Sequence, residues 1–235
     1  MTRRAHFAAT FVVLGALTAA GCSTGVSPSP SSSPPPAATA TPGLESAPTD
    51  ARAGSELDTP FMVDGIVVVS KKHRVSARYT PAWVDEPHGL HPDAWAAFQE
   101  LSAAATRDGL TVTLRSGYRS YAAQEGSFRR ALQQYDEATA RRYFAEPGAS
   151  EHQTGLALDA WDGRNRGAAF ARTPQAIWLA AHAHEYGFIV RYPPGKTEVT
   201  GYAWESWHLR WVGHQVAAAF GPNSTLTLEE HLGLA

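Results

Sequence analysis

The chain has 235 residues and a formal net charge of −2. This length allows one domain of ordinary size with additional segments. The charge balance indicates no basic face, so we expect no nucleic-acid partner. There is a single cysteine, which excludes an internal disulfide.

The first 21 residues have the pattern of an export signal. Arg3 and Arg4 form the positive region, the apolar stretch 7–20 is short for a membrane span, and small residues precede Cys22. This ending is similar to the lipobox of bacterial lipoproteins, in which the cysteine becomes the lipidated N-terminus. We expect an exported lipoprotein at the outer face of the cytoplasmic membrane or in the cell wall. Simple cleavage of the signal, without lipidation, is the alternative.

Residues 22–56 predict a tether. They are rich in Ser, Pro, Thr and Ala and contain almost no large apolar side chain. Such a segment cannot bury enough apolar surface to offset the entropy of ordering it. We therefore expect disorder up to residue 56 and a folded domain over residues 57–235.

The domain mixes strands and helices without a regular alternation. We expect strands at 65–70, 110–114, 156–160, 188–190 and 207–212, and helices at 92–108, 121–135, 138–144 and 213–219. A further helix begins at Pro174 and ends at Gly187, with Ile177, Leu179 and Ala180 facing inward. This order favours an α+β fold over a doubly wound sheet.

Two short stretches carry candidate metal ligands. His152 lies just before a predicted strand and Asp159 at its far end, so a bend at Gly155 would turn both side chains toward one pocket. His208 lies near the start of another strand, three residues after Glu205. Two imidazoles and one carboxylate are a typical ligand set of catalytic zinc, with the fourth position left for water. Glu205 is then a carboxylate suited to take a proton from that water.

A third segment, residues 115–124, places arginines on a glycine turn between a strand and a helix. An arginine there is suited to bind a substrate carboxylate or a developing oxyanion. A surface arginine in a turn is the alternative.

Three motifs together resemble a known family. Ser-Gly-Tyr-Arg-Ser, then Ser-Glu-His-Gln-Thr-Gly-Leu-Ala-Leu-Asp, then Glu-x-Trp-His-x-Arg-x-Val-Gly are similar to the VanY-type zinc D-alanyl-D-alanine carboxypeptidases, from about residue 66 to 220. The resemblance implies a hedgehog/DD-peptidase-like fold with a small mixed or antiparallel sheet and flanking helices. It also implies one Zn²⁺ per chain and peptidoglycan stem peptides as substrates. We expect a monomer.

The resemblance also implies residue roles. His152, Asp159 and His208 would bind zinc, and Glu205 would act as general base and then as acid for the leaving amine. Arg119 would bind substrate or stabilise the transition state, and Gln124 and Ser150 would line the substrate groove. An L,D-carboxypeptidase or a D-Ala-D-Ala dipeptidase of the same fold is the alternative, followed by a non-catalytic cell-wall-binding domain.

Overall fold

The computed structural model describes residues 47–235. The predicted signal peptide, its lipidation site Cys22 and most of the predicted tether lie outside these residues. Within the described part, no helix is both long enough and apolar enough to cross a membrane.

Ordered contacts begin before residue 57, where the composition of the sequence led us to expect the start of the folded domain. The Asp50 carboxylate pairs with Arg52 at 2.7 Å and with His73 at 3.0 Å. A 3-10 helix follows at Gly54–Asp58. Composition indicates how much apolar surface a segment can bury, but it does not reveal a charge partner supplied by the rest of the domain.

The described residues form two antiparallel sheets. A small hairpin pairs β1 (Phe61–Val63) with β2 (Ile66–Val68). The larger sheet has, in spatial order, β3 (Thr113–Ser116), β4 (Ala157–Trp161), β6 (Glu205–Trp211) and β5 (Phe188–Tyr192). Every neighbouring pair in it is antiparallel, which confirms the expected α+β class with an antiparallel sheet.

Helices flank the larger sheet. The longer ones are α1 (Pro92–Arg107), α2 (Tyr121–Gln134), α3 (Glu137–Tyr143) and α4 (Pro174–His182). Three single-turn helices are α5 (Thr197–Thr200), α6 (His214–Ala217) and α7 (Leu228–His231). The side chains of Ser120, Asp136 and Thr173 cap the N-termini of α2, α3 and α4, as short polar residues typically do.

The main core lies between α1, α4 and one face of the larger sheet. Phe98 and Leu101 of α1 and Leu179 of α4 pack against Leu158 and Leu209 of the two central strands. Because side chains alternate along a strand, the neighbours of these two leucines point to the opposite face. That face is the one that carries the functional residues.

The inward orientation predicted for Ile177 is wrong. Its side chain is 63% exposed, whereas Ala176, Trp178 and Leu179 are buried. Helical spacing relates Ala176 to Leu179, and Ile177 is rotated about 100° from Ala176, away from the sheet. The run contains so few polar residues that its pattern does not mark which side faces solvent.

Candidate metal centre and active site

Asp159 and His208 are direct partners in the β4–β6 ladder. Their side chains therefore leave the same face of the sheet. Leu158 and Leu209 form the adjacent pair and face the core. The sheet register thus brings two metal-ligating residue types together on the face away from the core.

His152 reaches the same point from a short turn before β4. This 3-10 turn spans Glu151–Thr154 and ends at Gly155, whose φ is +66°. A Cβ at residue 155 would lie 2.4 Å from the carbonyl oxygen of Gly89, so the bend requires glycine. The bend expected from the sequence is present, and it places His152 Nε2 3.4 Å from Asp159 Oδ1.

The ligand atoms of His152, Asp159 and His208 lie within 4.8 Å of one another. His208 Nδ1 is 3.3 Å from Asp159 Oδ1. That buried oxygen receives no hydrogen bond from any side chain or backbone group of residues 47–235. A buried carboxylate oxygen without a donor calls for a cation, and two imidazoles with one carboxylate suit zinc. These residues fit a zinc ion.

The second nitrogen of each imidazole is already bound. His152 Nδ1 donates a hydrogen bond to the carbonyl oxygen of Gly117 at 2.7 Å. His208 Nε2 donates to the Glu151 carboxylate at 3.4 Å. Such partners fix the ring orientation of a metal ligand, so the other ring nitrogen of each histidine faces the common point.

The charges at this point also favour a cation. Burial alone would raise the pKa of Asp159. The His152 and His208 imidazoles nevertheless hold that pKa well below its usual range. Burial opposes the charged form of His208, yet the adjacent Asp159 and Glu151 carboxylates raise its pKa to about 9. Near neutral pH, a metal ion therefore has to displace a proton from His208.

Glu205 lies beside the ligands at the start of β6, with Oε2 3.8 Å from His208 Nδ1. Residues three apart on a regular strand face opposite sides. Here the register shifts, and two steps along β5 from Val190 to Tyr192 match four steps along β6. Such a bulge redirects a side chain. Burial raises the pKa of Glu205 to about 7, against the opposing charges of His208 and Arg119.

Arg119 lies in the turn between β3 and α2. Its backbone N–H donates to the carbonyl oxygen of His152 at 3.1 Å, which ties this turn to the ligand turn. Its Nε is buried and has no hydrogen-bond partner among residues 47–235. Burial lowers the pKa of Arg119, whereas the nearby Asp159 and Glu205 raise it. A guanidinium with an unused donor thus lies close to both carboxylates.

A groove of about 620 Å³ opens over these residues. Gln124 and Ser150 also line it, and both side chains are almost fully buried. Gln124 Nε2 donates to the carbonyl oxygen of Ala145, while its Oε1 has no partner within the described part of the chain. The groove is therefore lined by every predicted site residue that lies within 47–235, namely Arg119, Gln124, Ser150, His152, Asp159, Glu205 and His208. Their individual roles stay predictions.

Glu151 has a contact that was not predicted, although it directly precedes His152. It is 1% exposed. Its carboxylate accepts hydrogen bonds from Arg191 Nε at 2.7 Å, Arg210 Nη1 at 2.9 Å and His208 Nε2 at 3.4 Å. Arginines inside otherwise apolar strands were the available signal, because a buried charge needs an internal partner.

Arg191 extends this contact to the C-terminal helix α7. Its two terminal nitrogens bind both oxygens of Glu229, at 2.8 and 2.6 Å. We call Glu151, Arg191, Arg210 and Glu229 the buried charge network, in which two carboxylates balance two guanidiniums. Burial alone would raise the pKa of Glu151, but the two arginines hold that pKa well below its usual range.

Similar proteins identify the family. The sequence-family model described as VanY, D-alanyl-D-alanine carboxypeptidase, matches residues 87–214 of this chain. The putative carboxypeptidase YodJ of Bacillus subtilis (strain 168) is 35% identical over 182 residues, which are 71% of this chain and 66% of that protein. The chain thus spans just under two thirds of the length of this relative.

Two solved structures share the fold. The LdcB LD-carboxypeptidase has 38% identity and a TM-score of 0.61, covering 72% of this chain and 86% of that one. A mutant of the vancomycin resistance D,D-pentapeptidase VanY in complex with Zn(II) has 31% identity and a TM-score of 0.62, covering 71% and 97%. The chain thus shares its fold with two peptidases, one of them solved with Zn(II). The chain belongs to the VanY family of carboxypeptidases, which confirms the resemblance seen in its motifs.

Proposed function

We propose that this protein is a zinc-dependent carboxypeptidase that removes the C-terminal D-alanine from peptidoglycan stem peptides. The observation that carries the proposal is the convergence of His152, Asp159 and His208 beside Glu205 on the floor of an open groove. A purely structural zinc site closes its fourth position with a protein ligand. A free carboxylate next to three ligands is typical of a hydrolase.

His152, Asp159 and His208 would hold the ion. When bound, zinc supplies a Lewis acid that polarises the scissile carbonyl and lowers the pKa of a water toward about 7. Glu205, in its ionised form, accepts the proton of the attacking water. The Arg119 guanidinium donates a hydrogen bond to the carbonyl oxygen as negative charge develops there.

Glu205 then returns its proton to the departing amine of D-alanine. One group can fill both roles when its pKa lies near the working pH, and burial brings the pKa of Glu205 to about 7. Gln124 and Ser150, on the groove wall, would contact the substrate chain ahead of the scissile bond.

Removal of D-alanine from an L,D bond is the second candidate. It is favoured by the 38% identity to the LdcB LD-carboxypeptidase, against 31% to the D,D-pentapeptidase. A D-Ala-D-Ala dipeptidase of the same fold is a third. All three would use the same metal site and differ in the peptide that the groove accepts.

Mass spectrometry of pentapeptide and tetrapeptide muropeptides, incubated with the protein with and without a chelator, tests the proposal. Chelator-sensitive loss of one D-alanine from the pentapeptide would support D,D-carboxypeptidase activity. Cleavage of the tetrapeptide alone would move the protein to the L,D class. Hydrolysis of added free D-Ala-D-Ala to two D-alanines, without cleavage of either muropeptide, would move it to the dipeptidases. If the zinc-loaded protein cleaved neither substrate, a cell-wall-binding role would replace the proposal.

We also propose that the protein is exported and held at the membrane through lipidated Cys22, which would place the domain near its substrate. The support is the pattern of the first 22 residues. A Cys22→Ser variant is expected to leave the membrane fraction. Its continued retention there would contradict the lipid anchor.

A further inference from the structure

The C-terminal helix α7 is connected to a zinc ligand by an unbroken series of buried contacts. Glu229 binds Arg191 through two hydrogen bonds, Arg191 binds Glu151 at 2.7 Å, and Glu151 accepts the Nε2–H of His208 at 3.4 Å. Arg191 and Glu151 are 0% and 1% exposed. The family match ends at residue 214, so Glu229 lies beyond the matched segment.

We infer that Glu229 is a positioning residue of the metal centre, acting on His208 through Arg191 and Glu151. This inference depends on the proposed zinc site but not on which peptide bond is cut.

Charge explains why Glu229 is needed. Glu151 alone faces two arginines, and its carboxylate has to accept three hydrogen bonds, two from the arginines and one from His208. Glu229 takes both terminal nitrogens of Arg191, so Arg191 approaches Glu151 only through Nε. Glu151 Oε2 is then left to His208, while Oε1 receives both arginines.

Loss of the Glu229 charge would leave Arg191 with unpaired donors although its side chain is fully buried. The nearest compensating group is Glu151, and a rotation of that carboxylate toward Arg191 would withdraw the acceptor from His208. Carboxylate partners that orient a histidine ligand are typically worth about 10–100-fold in metal affinity. Glu229 lies two contacts further from His208 than Glu151 does and should act at the lower end of that range.

A pair of matched variants on one helix tests the inference. Glu229→Gln removes a charge of the network. Glu230→Gln is the control, because Glu230 caps α7 through Thr227 and pairs with Lys196, and its side chain makes no hydrogen bond to the side chains of the network. For each variant we would measure zinc affinity by chelator competition, the visible spectrum of the cobalt-loaded protein, and the melting temperature.

Glu229→Gln is expected to weaken zinc binding about tenfold and to change the cobalt spectrum, which reports the geometry of the ligands. Glu230→Gln is expected to keep both while lowering the melting temperature. Equal zinc affinity in wild type and Glu229→Gln, or equal losses in the two variants, would overturn the inference. A wild-type protein without zinc affinity would overturn the metal centre itself, and this inference with it.

A charge-balanced double variant guards against a Glu229→Gln protein that fails to fold. Arg191→Met combined with Glu229→Met removes one charge of each sign and leaves Glu151 paired with Arg210. Apolar replacement of a whole buried pair is often tolerated. Because Arg191 is removed as well, no unpaired guanidinium draws Glu151 away from His208. The double variant is therefore expected to fold and to bind zinc with close to wild-type affinity, and a loss of about tenfold in affinity would contradict the inference.

Discussion

His208 separates two polar regions that differ in solvent access and in pairing. On its Nδ1 side lies the groove, where Asp159 Oδ1, Arg119 Nε and Gln124 Oε1 have no hydrogen-bond partner among residues 47–235. On its Nε2 side lies the buried charge network, in which every side-chain nitrogen and oxygen is bonded. The groove side retains unpaired polar atoms, as a binding site requires, whereas the network side is fully paired and fixes the ring of His208 through Glu151.

This contrast predicts that changes on the groove side affect turnover and leave the fold intact. Glu205→Gln should retain zinc and stability but lose about 10²–10⁴-fold in kcat, the usual contribution of a general acid-base group. Steady-state kinetics with zinc analysis of the same sample measures both. Turnover close to wild type would remove Glu205 as the base.

Changes on the network side should instead affect stability. Arg191→Met leaves Glu151 and Glu229 buried with one fewer cation, and loss of one partner from a buried ion pair costs about 3–5 kcal/mol. Urea unfolding of the metal-free protein provides the measurement. Arg129→Met is the control, because Arg129 is exposed and, within residues 47–235, pairs only with Glu125. A similar loss there would mean that burial is not the cause.

Arg119 tests the groove side a second time. Arg119→Ala removes a donor placed for the developing oxyanion, and kcat should fall about 10²–10³-fold with the metal retained. The exposed Arg130 on α2 provides the matched Ala control. If both variants keep wild-type kcat, Arg119 has a packing role only.

Groups from both regions also determine how zinc affinity depends on pH. Burial and the Arg119 charge lower the pKa of His152, so this ligand releases no proton near neutral pH. His208, with its pKa raised to about 9, must release one. Zinc affinity should therefore rise about tenfold per pH unit from neutral pH to about 9 and level off above it. Chelator competition at several pH values tests this, and a flat profile would contradict it.

The fold was largely predictable because its signals are local. Helix α1 begins at Pro92 as expected and ends at Arg107, just before Gly109, and β4 and β5 lie within two residues of the expected strands. Strand β3 lies later than expected, at Thr113–Ser116. The single turn of α7 was not predicted, since four residues carry too little periodicity.

The site was predictable only on its groove side. His152, Asp159, Glu205 and His208 are residue types with metal or acid-base chemistry, and short spacings relate them in pairs. Glu151 pairs with Arg191 and Arg210, which are 40 and 59 positions away. No local pattern contains such a pairing, because it depends on the order of strands in the sheet.

The most direct test of this account is anomalous X-ray diffraction at the zinc edge from crystals of the zinc-loaded protein. The account predicts one strong peak between His152 Nε2, Asp159 Oδ1 and His208 Nδ1, with Zn–N distances of about 2.0–2.1 Å. His208 Nε2 should still donate its hydrogen bond to Glu151. A peak coordinated by Glu205 in place of Asp159, or no peak between these three residues, would contradict it.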